Sequence, residues 1–276
     1  MKQIVNVVDY YANEEEVITY AIALSQQTVA HHIMLVIIIN KEGQTSIGAF
    51  KEKINEIDLD ILVLDPNENL GYMNGFIYGY NQYRQLFNNV PNWVVMSNTD
   101  IEFQNNSFFE DLLKKSYEEN IWCIAPSVYS PANDSYNNPQ YTERYIPEKL
   151  NRLIYIFERP ALAYIYLKLA NLKAKYVRKI RNNSQFVYSA HGCFLVMRCE
   201  FAELLRYRRY QALMYSEEAY IAEIIRAYRK RCFYDSTLEV IHNESTVTGK
   251  LNIRKKSKYI ADSLKVIKEE FFMENN

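Results

Sequence analysis

The first 125 residues repeat one alternation: a short apolar run, a stretch with apolar residues at helical spacing, then another apolar run. The runs are "IVNVV" (4–8), "IMLVIII" (33–39), "ILVL" (61–64), "WVVM" (93–96) and "IWCIA" (121–125). Each has strand length and is bounded by polar turns. Between them, "NEEEVITYAIAL" predicts a helix capped by Asn13, with Glu16 closing a capping box, and Ser107 with Glu110 predicts a second box before "FFEDLLKKSY". Phe76, Tyr80, Tyr83 and Phe87 recur at helical spacing, so a helix is expected from about Asn74. This order predicts an α/β fold with a Rossmann-like, largely parallel central sheet and helices on both faces. Ligands of such sheets sit beyond the carboxyl ends of the strands.

The middle of the chain breaks the pattern. Residues 127–140, "SVYSPANDSYNNPQ", read as a long polar loop. Residues 149–181 carry nine Lys or Arg against one acid, Glu158, interleaved with Tyr155, Phe157, Tyr164, Tyr166 and Tyr176. This is a basic, aromatic, mostly helical insertion. The whole chain has a net charge of −1, so removing the segment's +8 leaves a remainder near −9, and charge is segregated. Such a segment suits either a solvent-facing cover or an anionic membrane surface. The acidic remainder argues against nucleic acid as a partner. Strand character resumes at "CFLVMR" (193–198), followed by a helix at "EEAYIAEIIRAYRK" (217–230), strands "CFY" (232–234) and "LEVI" (238–241), and a last helix from about Ser257. Cys123, Cys193, Cys199 and Cys232 lack the close paired spacing of a zinc site and read as free thiols of a reducing cytosol. The longest apolar stretch, "ALAYIYLKLA" (161–170), is too short to span a bilayer.

Four clusters at strand ends could carry chemistry. In "MSNTDIEF", Asn98 and Asp100 follow a buried strand and offer two oxygens to a hard cation, although Asn-Thr-Asp is also ordinary turn chemistry. In "NLGYMNG", Gly71 and Gly75 permit close backbone approach at a helix entry, which either a phosphate or simple packing would use. Glu217 and Glu218 open a helix, where the dipole favours acids whether or not they act as a general base. His242 follows "LEVI" and reads as a structural histidine or a metal ligand. No nucleophile elbow, Walker loop or HExxH helix competes with these.

Taken in order, these pieces resemble the family-two inverting glycosyltransferases of GT-A fold, in particular the rhamnosyl-type enzymes of bacterial surface polysaccharides. The resemblance runs from Ile4 to about Ser245. "VVDYYANEEEVI" is similar to the family's first strand and turn, which implies that Asp9, Tyr10 and Tyr11 hold the nucleotide. "DPNENLGYMNG" matches its Asn-x-Gly stretch at Asn69 and Gly71, which would lie against the donor. "MSNTDIEF" looks like its Asp-x-Asp in an Asn-x-Asp variant, which puts Asn98, Thr99 and Asp100 at the sugar diphosphate. "AHGCFLVMRCEFAEL" resembles the strand entering the acceptor side, with His191 and Gly192 at its mouth. "MYSEEAYIAEIIRAYRKRCFYDSTLEVIHNES" is similar to the segment from catalytic acid to metal histidine. The resemblance thus implies Glu218 as base, Glu217 as its neighbour, and Asp100, Asn98 and His242 around Mn²⁺ or Mg²⁺. Asn40 stands where many relatives carry an acid that contacts the donor.

By the same resemblance the chain would be a hexosyltransferase that takes a nucleotide-diphosphate sugar to a saccharide or lipid-linked saccharide hydroxyl. It would be cytoplasmic, at the inner face of the cell membrane, with residues 149–181 touching anionic lipid. The implied division is one catalytic domain over 1–250, with a donor half (1–126), a loop and basic insertion (127–190) and an acceptor half (191–250), then a helical extension (251–276). A sugar-nucleotide pyrophosphorylase would carry a glycine-rich loop with Arg and Lys after the first strand, which "VVDYYANEEE" lacks. A non-catalytic donor-binding partner of another transferase stays open, because Asn98 replaces an acid.

Overall fold

A computed structural model describes residues 2–11, 13–40, 47–177, 179, 181–243 and 251–273, with the backbone alone at 174–177. The domain boundary expected at 250 falls within 244–250, outside the described residues. Strands β1 (Ile4–Tyr10), β2 (Ile33–Ile39), β3 (Asp60–Leu64) and β4 (Trp93–Ser97) pair in parallel in the order β3-β2-β1-β4. Helices α1 (Glu14–Ser25), α2 (Ile47–Asn55) and α3 (Tyr72–Leu86) lie between them in the chain. β5 (Ile101–Phe103), α4 (Phe108–Lys114) and β6 (Ile121–Ser130) follow.

Both faces of the sheet are covered, which is why its strands read as unbroken apolar runs. Ile33, Leu35, Ile37 and Ile39 of β2 pack with Val17, Tyr20, Phe50 and Phe109 of α1, α2 and α4. The alternate residues Met34, Val36 and Ile38 face Met73, Phe76 and Tyr80 of α3. Each such aliphatic side chain stabilises the fold by about 1.5–3 kcal/mol through burial.

The second half completes the sheet with mixed directions. β9 (Phe194–Arg198) and β10 (Arg231–His242) extend the order to β3-β2-β1-β4-β9-β6-β10-β5, while β7 (Ser135–Tyr136) pairs with β6 and β8 (Gln185–Val187) with β10 off this path. β9 runs antiparallel to both β4 and β6, β10 is parallel to β6, and β5 is antiparallel to β10. Helices α5 (Pro147–Phe157) and α6 (Pro160–Val177) form the basic insertion, and α7 (Cys199–Leu205), α8 (Glu217–Ala227) and α9 (Ile253–Phe271) follow. α9 buries Ala261, Leu264 and Ile267 in the same core as α3, α7 and α8.

Four local expectations are corrected. Residues 127–140 are not a loop without a core: β6 continues to Ser130 and hairpins onto β7, burying Ser127, Ser130 and Ser135. "CFY" and "LEVI" belong to one strand, β10, whose pairing with β6 shifts register between Asp235 and Glu239. Neither capping box forms. The Asn13 side chain accepts from the Tyr11 amide at 2.8 Å and donates to Thr99 Oγ1 at 2.7 Å, while the Ser107 hydroxyl donates to Asp111 at 2.8 Å. The last helix begins at Ile253 rather than Ser257, capped by Asn252, whose side chain accepts from the Lys255 amide.

Candidate active site

The carboxyl ends of β1, β4 and β10 open on one side of the sheet. Because β9 runs the other way, its amino end opens there too. Asp9, the Asn98–Asp100 turn, Cys193 and His242 therefore meet. The pairing of β5 with β10 sets His242 opposite Ile101, and the Asn243 amide donates to the Asp100 carbonyl at 2.9 Å. His242 Nε2 then lies 3.3 Å from Asp100 Oδ2, with both side chains nearly buried. Across from them, a Cβ on Gly192 would sit 3.4 Å from Glu218 Oε2, which places the expected base against the expected acceptor mouth.

The start of α8 is held under strain. Tyr215 and Ser216 both adopt the left-handed region, at φ 72° and 59°, which costs non-glycine residues on the order of 1 kcal/mol each. The Tyr210 hydroxyl donates to the Tyr215 carbonyl, and Ser216 Oγ is 2.9 Å from Ser263 Oγ of α9. This turn aims both acids into the site. Burial raises the Glu217 pKa, and the charges of Glu218 and Asp9 add to it, carrying it to about 8 against the Glu217 and Tyr215 amides. Burial also raises Glu218, while its own amide and His191 hold it down. Asp9 is pushed well up by burial, opposed by the hydrogen bond from Asn40.

The thiol and imidazoles form a second electrostatic unit. Burial works against ionisation of Cys193, yet His191 and His242 draw its pKa down to about 6. Burial likewise disfavours the His242 cation, but Cys193 and Asp100 push its pKa up to about 11.

The turn of Asn69 to Gly75 has a structural role of its own. Gly71 sits at φ +76°, and a Cβ there would lie 2.1 Å from the Leu213 carbonyl oxygen. A Cβ on Gly75 would lie 2.5 Å from Asp9 Oδ1. The close approach that the glycines permit here is with the protein itself, the packing use of the two expected. Asn69 Oδ1 accepts from the Gly71 amide at 3.0 Å. Asn40 is also committed internally: it donates to Asp9 Oδ2 and the Gly71 carbonyl and accepts from the Leu70 amide. Tyr10 is 7% exposed and stacks on Phe50 at 4.8 Å, so its ring faces the core, whereas Tyr11 is exposed. Asn98 is half-exposed and anchors through its amide, which donates to the Cys193 carbonyl at 2.8 Å.

Three site residues escaped the sequence reading. The Tyr72 hydroxyl donates to the Gly192 carbonyl at 3.1 Å. Burial, and then the negative groups Cys193, Asp9, Glu217 and Asp100 around it, keep this phenol protonated. Asn138 accepts from the His191 amide at 2.7 Å and so fixes the backbone ahead of β9. Cys193 was visible only in the spacing His191-Gly192-Cys193, which means little until β10 brings His242 beside it.

Asp100 and His242 present a hard oxygen and a borderline nitrogen side by side, a donor pair that suits a first-row divalent ion such as Mn²⁺. No family model matches the chain, and no curated protein does. Among solved structures, the chain is similar to the mannosyltransferase PcManGT from Pyrobaculum calidifontis in complex with GDP-Man and Mn²⁺. The TM-score is 0.55 at 10% identity, over 89% of this chain and 58% of that one. It is also similar to GalNAc-T7 with UDP, GalNAc and Mn²⁺, at a TM-score of 0.61 and 11% identity, over 97% of this chain and 48% of that one. The chain therefore spans about half the length of these structures. The likeness establishes the GT-A fold.

Proposed function

We propose that this chain is a metal-dependent, inverting glycosyltransferase of hexosyl type, moving a sugar from a nucleoside-diphosphate sugar to a saccharide hydroxyl. The observation that carries this reading is the meeting of Asp100, His242 and Glu218 at one end of a GT-A sheet. Asp100 and His242 would hold Mn²⁺ or Mg²⁺ beside the donor diphosphate, with Asn98 completing the turn. When bound, such an ion offsets charge developing on the departing nucleoside diphosphate. Asp9 and Thr99 line the donor side, and Asn40, Asn69 and Gly71 act one step back by fixing the loop they share. Tyr11, exposed just past the end of β1, would meet the nucleotide.

Glu218 is the base. It stands beside Gly192 and His191, takes the proton of the acceptor hydroxyl, and directs attack on the sugar carbon from the face opposite the leaving group, which inverts that centre. Glu217, neutral below about pH 8, keeps a second negative charge away from it.

The acceptor is a lipid-linked saccharide of cell-surface polysaccharide assembly, met at the inner face of the membrane. α6 supports this: Leu162, Ile165, Leu169 and Leu172 recur on one face, are 39–61% exposed, and stand beside Lys168 and Lys173. An apolar stripe flanked by lysines fits anionic lipid. Among the described residues no helix is long and apolar enough to cross a membrane, so the contact would be peripheral. Reversing Lys168 and Lys173 to Glu should reduce co-sedimentation with phosphatidylglycerol vesicles more than donor hydrolysis; equal losses would count against this surface.

The test of the reaction is a thermal-shift screen against UDP, GDP and dTDP and their sugars, with and without Mn²⁺. A ligand at a hundredfold its Kd stabilises by about 2.7 kcal/mol. One nucleotide class should shift the melting temperature only with metal present, and Asp100→Ala should lose both responses. No shift with any nucleotide would overturn the reading.

A further inference from the structure

We infer that His191, Cys193 and His242 form a site for a thiophilic divalent cation of the zinc class. One ligand atom from each lies within 4.8 Å of the others. The three residues come from different places: His191 and Cys193 flank Gly192 ahead of β9, and His242 ends β10. The sheet order alone unites them.

The local geometry favours a bound ion over an accidental cluster. The Cys193 amide donates to His191 Nδ1 at 3.3 Å, which leaves Nε2 of that ring as the ligand atom. Asn138 fixes the His191 backbone, and the β5–β10 pairing fixes His242. Cys193 and His242 are buried while His191 is half-exposed, so the site has two fixed walls and one way in. Tetrahedral zinc, with bonds of about 2.3 Å to sulfur and 2.0–2.1 Å to nitrogen, sets its ligands roughly 3.3–3.6 Å apart. Side-chain torsions need close the widest gap by at most about 1.2–1.5 Å. Asp100 Oδ2, 3.3 Å from His242 Nε2, is within reach of the fourth position. Binding converts the thiol to a thiolate and releases its proton to solvent. A thiolate with two imidazoles selects Zn²⁺ or Co²⁺ over Mg²⁺.

His242 is thus claimed twice, and Asp100 too where it fills the fourth position. A zinc-class ion held by Cys193 would withdraw that imidazole from the ion beside Asp100, so Zn²⁺ would compete with Mn²⁺-dependent donor binding. This second step rests on the reaction proposed above; the cation site does not.

The test is a titration of the metal-free full chain with Co²⁺, without nucleotide. Binding should produce near-ultraviolet thiolate-to-cobalt charge-transfer absorbance that Zn²⁺ abolishes. Cys193→Ser should lose that absorbance, and His191→Ala, at a half-exposed position that leaves the buried thiol in place, should weaken Co²⁺ binding about tenfold or more. Absent charge transfer, charge transfer that survives Cys193→Ser, or full Co²⁺ affinity in His191→Ala would each overturn the site. The titration uses no donor, so its failure leaves the transferase reading standing, and a failed nucleotide screen leaves the cation site standing.

Discussion

Helix α8 carries buried acids at two levels, and their surroundings are opposite. Glu223, 2% exposed, receives Arg144 Nε and Nη2 at 2.7 and 2.8 Å and the Tyr188 hydroxyl at 2.7 Å. Arg144 in turn stacks on Phe272, 4.0 Å from the ring centroid. Glu217, 5% exposed and less than two turns earlier, has no such clamp among the described residues: burial, Glu218 and Asp9 all push against its ionisation. One acid is neutralised by a cation and the other by keeping a proton. A buried acid with a fitted counter-ion ties elements together; a pair of acids without one costs stability and persists where the site uses them.

The sharpest break of this contrast is at Glu218. Glu218→Gln keeps size and removes the base, so sugar transfer should fall by about 10²–10⁴-fold, the usual worth of general base catalysis. The nucleotide-induced thermal shift should survive. Unchanged transfer would remove the base assignment and leave the acids at both levels of α8 merely structural.

Next in size is the clamp. Arg144→Ala leaves Glu223 charged and buried, and should cost about 3 kcal/mol in chemical denaturation. Replacing both partners, Arg144→Met with Glu223→Leu, should recover most of that loss, because the isolated charge is gone. A single substitution costing under about 1 kcal/mol would show that the clamp is no more than a surface pair.

The same contrast explains what the sequence disclosed. Strands β1, β2 and β4 were legible because burial on both faces makes each an apolar run, β3 because its half-buried residues after Asp60 are all apolar, and α8 because its buried face repeats at helical spacing. Glu217 and Glu218 stood out as adjacent acids at a helix start. Arg144 and Glu223 did not, since nothing local says that residues 79 positions apart will form a bidentate pair. Cys193 was hidden for the same reason, as its chemistry depends on β9 entering antiparallel beside β4. β6 was cut short because Ser127 and Ser130 look like turn residues until β7 and β10 bury them. Asn13 looked like a cap because its link to Thr99 is non-local.

The proton on Glu217 is tested most directly through pH. Its pKa rises from 4.5 unfolded to about 8 folded, so between those values the folded state holds a proton that the unfolded chain has released. Stability therefore falls as pH rises across that window, and the contribution of the neutral carboxyl is complete below about 4.5 and lost through about 8. Glu217→Gln removes the titration while keeping the shape. Its melting temperature should match the native chain near pH 4 and exceed it near pH 9, with the two curves parting between. Parallel curves would mean that the folded state releases this proton as readily as the unfolded one. Glu217 would then carry a charge at neutral pH without a cation to meet it, and the strained turn at Tyr215 and Ser216 would be holding two negative charges against each other.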